Sequence, residues 1–350
     1  MPKVGIVRDD RYLLHDMGPH PESPERLRVI YEMLQGEEIK GLSVDIPARA
    51  ATRDELETVH APGYVDRVAA TAGRPYARLD PDTSTCAASY EAALWAAGGF
   101  MEAIDAVFQG RVGSSFALVR PPGHHAEKAR AMGFCLFNNV AIGARHAQKK
   151  HGLDRILIVD WDLHHGNGTQ HTFYEEKDVL YFSTHQYPYY PGTGSVTEIG
   201  QGDGTGYTVN APLSAGCGDT VYANLFNHIL RPIALTYKPQ LILVSAGFDI
   251  HHRDPLGGMG VTETGFARLM NIIKDVARST CSGRIAVTLE GGYDLTALSQ
   301  SIRAVLLEMG QDADWVDAEK CRKEEEADFK RIEQGIQTIQ KIQAPHWRCF

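Results

Sequence analysis

No run of apolar residues is long enough to cross a bilayer, and the opening MPKVGIVRDDRYLLHD lacks the unbroken apolar core of a secretion signal. Basic residues are in deficit, with 35 Lys and Arg against 44 Asp and Glu and a formal net charge of −9. That balance speaks against nucleic acid or an anionic membrane as the main partner. It suits a cationic substrate, and equally it serves solubility. Cysteine is sparse, at positions 86, 135, 217, 281, 321 and 349 with no CxxC pair. Neither a disulfide framework nor a thiolate metal site is expected, and a reducing, cytoplasmic compartment is. Internal repeats, low-complexity tracts and linker-like stretches are missing before residue 310.

What is present is a rhythm. Short β-branched runs occur as KVGIV at the start, FALVR at 116–120, RILIV at 155–159, VLYF at 179–182, LILVS at 241–245 and IAVTL at 285–289. Helix-like stretches lie between them, at Tyr90–Phe108, Asn138–Lys150, Val221–Tyr237 and Thr262–Arg278. Unbroken apolar strands alternating with helices predict an α/β fold with a parallel sheet covered on both faces. Five of the runs lead into loops that carry His, Asp or Tyr: PPGHHA, DWDLHHGNG, STHQYPYYPGTG, AGFDIHHRDPLGG and EGGYD. Ligands of open α/β sheets bind beyond the carboxyl ends of the strands, so these loops are expected to converge.

The loops hold a metal-ligand pattern. Asp162 and His164 are two apart, on one side of an extended chain, and Asp249 offers a third ligand from another strand. Two carboxylates and one imidazole leave a position open for water or substrate, and they suit Zn²⁺, with Fe²⁺, Co²⁺ or Mn²⁺ also acceptable. Salt bridging or helix capping is the bland reading of the same acids. His124 and His125 follow the stiff turn RPPG and are expected to face the metal, where a base is wanted. Asp160 and Asn167 are each able to orient one imidazole, and Tyr293 is a candidate oxyanion donor.

Taken together, RPPGHHA, MGFCLFNNV, DWDLHHGNGT, AGFD…DPLGG and EGGYD resemble the zinc-dependent histone deacetylase and acetylpolyamine amidohydrolase family, its class II-like branch, from about residue 3 to residue 310. The resemblance implies the arginase-deacetylase fold, a three-layer α/β/α sandwich on an eight-stranded, mostly parallel sheet. Asp162, His164 and Asp249 become the metal ligands. His125 becomes the base and then acid, backed by Asn167, and His124 is mainly electrostatic, backed by Asp160. Tyr293 would polarise the acetyl carbonyl. Gly133, Phe134 and Tyr190 would wall a narrow tunnel with Leu256 on its rim, Arg26 would line the acetate exit, and Asp82 would hold a substrate backbone amide. A structural K⁺ or Na⁺ is implied near Asp160, Asp162 and His164, with oxygens of Ser183 and Thr184. Three departures stand out. Asn167 replaces the aspartate of class I, Tyr190 replaces a common Phe, and Tyr293 stands where some class II relatives have His.

The implied reaction is hydrolysis of Nε-acetyl-lysine in a peptide or protein, with small acetylated amines as the alternative substrate. An arginase-like binuclear site would need an Asp-x-Asp pair that GFDIHHRD at 247–254 lacks. A mere binding module would be expected to have lost a ligand or Tyr293. Residues 1–310 are expected to form the catalytic domain and 311–350 a helical extension. Its helix at 319–343 carries Phe329, Ile332, Ile336, Ile339 and Ile342 as a stripe for the body or for a second copy.

Overall fold

A computed structural model describes residues 3–311 and 314–350. Ten strands occur in chain order: β1 (Val4–Val7), β2 (Ser43–Ile46), β3 (Ala77–Arg78), β4 (Ser84–Thr85), β5 (Ser114–Ala117), β6 (Ile156–Asp160), β7 (Val179–Gln186), β8 (Thr208–Leu213), β9 (Leu241–Ala246) and β10 (Ile285–Leu289). Eight of them form one sheet in the order β2-β1-β5-β10-β9-β6-β7-β8, every pairing parallel, while β3 and β4 make a small antiparallel hairpin. Helices cover both faces, giving the three-layer α/β/α sandwich.

The register sets the site. Asp160 is paired with Ser245 and Ser183, and Ala246 with Leu289. The chain therefore leaves β6, β9 and β10 at one level, and the loops after them start side by side. The central strands β5, β6, β9 and β10 are buried at every residue, as a sheet covered on both faces requires.

Within the eight-stranded sheet, the two strands that apolar runs did not announce are the edge strands. β2 reads SVDI and is half-exposed, and β8 reads TVNAPL. Pro212 is tolerated in β8 because no further strand needs its missing N–H. The stretch expected as one helix at 221–237 is two helical pieces, 219–225 and 231–237, joined by a wider π turn at 226–230. Pro232, unable to donate a backbone hydrogen bond, sits at the second residue of the later piece.

The tail is also two helices, 318–328 and 333–343, with a tight turn between them where one was expected. Asp328 sits at the negative end of the first helix, where its charge is unfavourable, and its carboxylate accepts from Thr220 Oγ1 instead. The bend seats Ile336, Ile339 and Trp347 in the main core. Gln343 Nε2 donates to Thr208 O, and Trp347 Nε1 donates to Gly206 O. Four of the five stripe residues thus pack on the chain's own body, Phe329 and Ile332 in part, with the end of the tail at the entry to β8.

Candidate metal centre and tunnel

Asp160 ends β6 fully buried, and its Oδ1 accepts the N–H of Asp162, which turns the chain so that Asp162 points inward. Asp162 Oδ1 accepts the N–H of His164, and its Oδ2 accepts the N–H of Gly291 from the loop after β10. Asp249 Oδ1 accepts the N–H of Leu163 at 2.9 Å. His164 Nδ1 lies 3.2 Å from both Asp162 Oδ1 and Asp249 Oδ2. The three residues offer donor atoms within 4.8 Å of one another.

Two observations show that this triangle fits a divalent cation. Asp249 Oδ2 is buried, makes no well-formed hydrogen bond and faces only the His164 ring at 3.2 Å, an under-satisfied position for a buried carboxylate oxygen. Around it the chain is glycine: a Cβ on Gly291 would lie 2.4 Å from Asp249 Oδ2, and one on Gly247 would lie 2.0 Å from Asp162 Oδ2. The electrostatics agree. Burial and the neighbouring Asp162 push the Asp249 carboxyl up to about 7. Burial alone would raise Asp162 as well, but His124 and His164 hold it well below the usual carboxylate range. Against burial, the two carboxylates raise His164 to about 9, so that an imidazolium stands in for positive charge. The donor set is one imidazole and two carboxylates, as a catalytic zinc or iron site uses.

The paired histidines differ. His124 Nδ1 faces Asp160 Oδ2 at 3.1 Å, and burial is outweighed by Asp162 and Asp160, which raise it to about 10. His125 Nδ1 meets Asn167 Oδ1 at 2.7 Å. Asn167 Nδ2 donates to Glu127 Oε1 at 2.5 Å, which assigns Oδ1 as the acceptor and places a proton on His125 Nδ1. Nε2 of His125 is then a free lone pair. Burial, His124 and His164 all push this imidazole well below its ordinary value, so it is neutral.

A cavity of about 100 Å³ reaches this floor, lined by Asp82, His124, His125, Gly133, Phe134, Tyr190, Leu256, Gly291 and Tyr293 among others. Phe134 and Tyr293 meet edge to face at 6.3 Å, and Tyr190 stands perpendicular to His125 at 5.2 Å. Gly133 has φ +57°, and a Cβ there would strike the His125 ring at 2.2 Å. Asp82 Oδ1 accepts from Gly133 N and Thr83 Oγ1, and its carboxylate also stands beside the Tyr190 hydroxyl. Tyr190 carries a buried hydroxyl that makes no well-formed hydrogen bond, and burial and the nearby Asp82 carboxylate push the phenol up.

Arg26 does not line this cavity and lies behind it, 5.0 Å from the Tyr293 ring. Fully buried, it donates from Nε to Gly292 O and from Nη2 to Glu290 O, behind the EGGYD loop. A guanidinium forks naturally onto two carbonyls, so it holds the loop that carries Tyr293. Ser183 Oγ pairs with His185 Nδ1, while the Thr184 hydroxyl is buried without a partner beside Asp160's strand. His165, the second histidine of DLHHG, lies outside the triangle, bonded to Thr193 and Gln170.

Sequence reasoning missed the supporting layer. Glu290 is buried and raised to about 7, largely by burial, and its carboxylate accepts from Gly123 N and Ser245 Oγ. Asp254 Oδ2 accepts the N–H of Tyr293 at 2.6 Å. Glu22 joins Arg26 and Arg120 behind the site. Glu290 and Asp254 lie inside the motifs, and that proximity was the only signal available.

The histone deacetylase domain profile matches residues 20–338. Histone deacetylase 15 of Arabidopsis thaliana is 44% identical over 85% of this chain and 55% of its own length. A probable deacetylase of Archaeoglobus fulgidus is 37% identical over 99% of both chains. The human polyamine deacetylase HDAC10 is 38% identical over 97% of this chain and 51% of its own. The crystal structure of the HDA15 HD domain superposes with a TM-score of 0.88 at 40% identity, covering 99% of this chain and 96% of that one. The chain thus spans about half the length of two of these relatives.

Proposed function

The chain belongs to the histone deacetylase family, and from that membership and the geometry of the tunnel we propose that it hydrolyses Nε-acetyl-lysine, releasing acetate. The carrying observation is the Asp162–His164–Asp249 triangle at the tunnel floor, in which Asp249 Oδ2 makes no well-formed hydrogen bond, beside an open His125 Nε2. Asp162, His164 and Asp249 would hold Zn²⁺, with Fe²⁺ or Co²⁺ acceptable to the same donors. Bound there, the ion would polarise the acetyl carbonyl and acidify a water molecule.

The chain's own residues do the rest. His125 Nε2 takes the proton of the attacking water as oxygen bonds to the carbonyl carbon, and Asn167 keeps Nδ1 protonated throughout. The Tyr293 hydroxyl, held through its backbone by Asp254, donates to the oxyanion. His125 then returns the proton to the amine nitrogen as the C–N bond breaks. His124, positive beside Asp160, supplies fixed charge without moving a proton.

Gly133, Phe134 and Tyr190 form the walls for an aliphatic chain, and Leu256 leaves the rim apolar on that side. An apolar rim accepts a peptide backbone and offers no partner to the ammonium of a polyamine. The Asp82 carboxylate on the tunnel lining is the acceptor for a substrate amide. A structural K⁺ or Na⁺ at Asp160, Asp162, His164, Ser183 and Thr184 is part of the same reading, supported by the stranded Thr184 hydroxyl. The six cysteines are all free, which supports a reducing, cytoplasmic-type compartment. Among the described residues, no helix is long and apolar enough to cross a membrane.

The substrate is tested by comparing kcat/KM on acetyl-lysine peptides with that on acetylated putrescine, cadaverine and spermidine. The proposal expects the peptides to win. A wide preference for the small amines would move the chain to the polyamine branch.

A further inference from the structure

Asp105, His146 and His151 take no part in the chemistry above. Asp105 belongs to the helix Ser89–Phe108 and is 1% exposed, while both histidines lie in the last turns of the helix Asn139–His151. Nε2 of His146 and Nε2 of His151 both aim at the same oxygen, Asp105 Oδ1, at 2.9 and 2.7 Å. Their ring planes cross at 81°, so they approach it from different sides. The other oxygen, Oδ2, is taken by Lys150 Nζ at 2.6 Å. The three residues offer donor atoms within 4.8 Å of one another.

The cluster lies at the end of the sheet where strands begin. His151 precedes the start of β6 by a few residues, and its ring stacks on Phe108 at 4.2 Å and 15°. Over the same Phe108 sits Arg284, the residue before β10, at 5.1 Å. The tunnel is at the opposite end, beyond the last residues of these strands.

We propose that Asp105, His146 and His151 form a second binding site, for a divalent transition metal of the zinc class, that clamps the two helices together. The pattern has more imidazole than a simple ion pair needs. Lys150 already neutralises the Asp105 charge and leaves only Oδ1 for coordination. Without an ion, Nε2–H of both rings and the Lys150 ammonium donate to the carboxylate, and although burial alone would raise it these bonds hold it well below its usual range, so it stays ionised and able to coordinate. An incoming ion would displace the two Nε2 protons that now point at Oδ1, leaving each ring protonated on Nδ1 with its Nε2 lone pair free to coordinate. Two nitrogens and one oxygen then converge, and water completes a tetrahedron. Stacking on Phe108 fixes one ring in advance, and the partial exposure of both histidines gives an ion a way in.

The test counts metal in the full-length chain. Metal-stripped protein is saturated with Zn²⁺, passed through a desalting column and analysed for zinc per chain. The proposal expects two ions in the parent, one in His164→Ala, one in the His146→Ala/His151→Ala double variant and none when all three changes are combined. In His164→Ala, added Zn²⁺ should raise Tm, and the two further histidine changes should abolish that rise. Deacetylase activity of the double variant should match the parent. If the double variant does not fold, His146→Gln alone, which keeps a hydrogen bond to Asp105, should lose one equivalent. Equal zinc content in the parent and in the His146 and His151 variants would overturn the site, whatever the occupancy of the tunnel triangle.

Discussion

Asp249 and His125 show how single atoms set the chemistry. One carries an oxygen with no well-formed hydrogen bond, the other a nitrogen with no proton. Tyr293→Phe removes the oxyanion donor but no metal ligand, so kcat should fall by roughly two to three orders of magnitude with metal content unchanged. Steady-state kinetics beside metal analysis checks this, and a loss within a few-fold would remove the hydroxyl from the mechanism. Asn167→Asp puts a full negative charge where a neutral amide now accepts from His125. The base must be neutral, and its pKa is now depressed by burial and by His124 and His164. Stabilising the imidazolium should therefore move the acid limb of the kcat/KM profile to higher pH, by about one unit. An unchanged limb would mean that another group sets it. At this scale the sequence was legible wherever chemistry is carried by residue type and spacing, as in Asp162-x-His164. For Arg26 the motif reported an arginine near the site, but not that its guanidinium would fork onto the Gly292 and Glu290 carbonyls. Glu290 and Asp254 went unseen because acids that accept backbone N–H groups leave no spacing of their own.

Strands and loops explain why those atoms meet. Buried apolar runs betrayed the six inner and near-inner strands, while β2 and β8 escaped because edge strands need only one covered flank and carry mixed residues. The loops hold their shape through the buried Glu22, which binds Arg120 and Arg26 and so ties the N-terminal segment to the EGGYD loop. Burial alone would raise the Glu22 carboxyl, yet Arg120, His15 and Arg26 lower it from 4.5 to about 2. A depressed folded value gives stability that is full above the unfolded pKa and is lost as pH falls through the folded one. The window here runs from 4.5 to about 2. Across it the group should contribute about 3 kcal/mol at ~1.4 kcal/mol per pH unit. Urea unfolding of the parent and of Glu22→Gln should show the variant less stable at pH 7 and flatter between these limits. Parallel stability–pH curves would show that Glu22 is not the group responsible.

On the scale of the whole molecule, chemistry and support lie at opposite ends of one sheet. We propose that residues 1–310 carry the catalysis and that 311–350 serve as a buttress, since the tail's contacts run to the entry of β8 and the tunnel lies at the strand ends. Deleting 312–350 uncovers the seat of Ile336, Ile339 and Trp347 in the core, so soluble yield and Tm should fall, while the folded remainder keeps the parental kcat. A folded, soluble truncation without activity would instead make the tail part of the site. The central claim is that a metal held by Asp162, His164 and Asp249 hydrolyses acetyl-lysine. Its most direct test is acetate release from an acetyl-lysine peptide by one preparation, measured as purified, after chelation and after stoichiometric Zn²⁺. Activity should vanish on chelation and return with zinc in the parent, and should not return in Asp249→Ala. Undiminished release from the fully stripped protein would contradict the account.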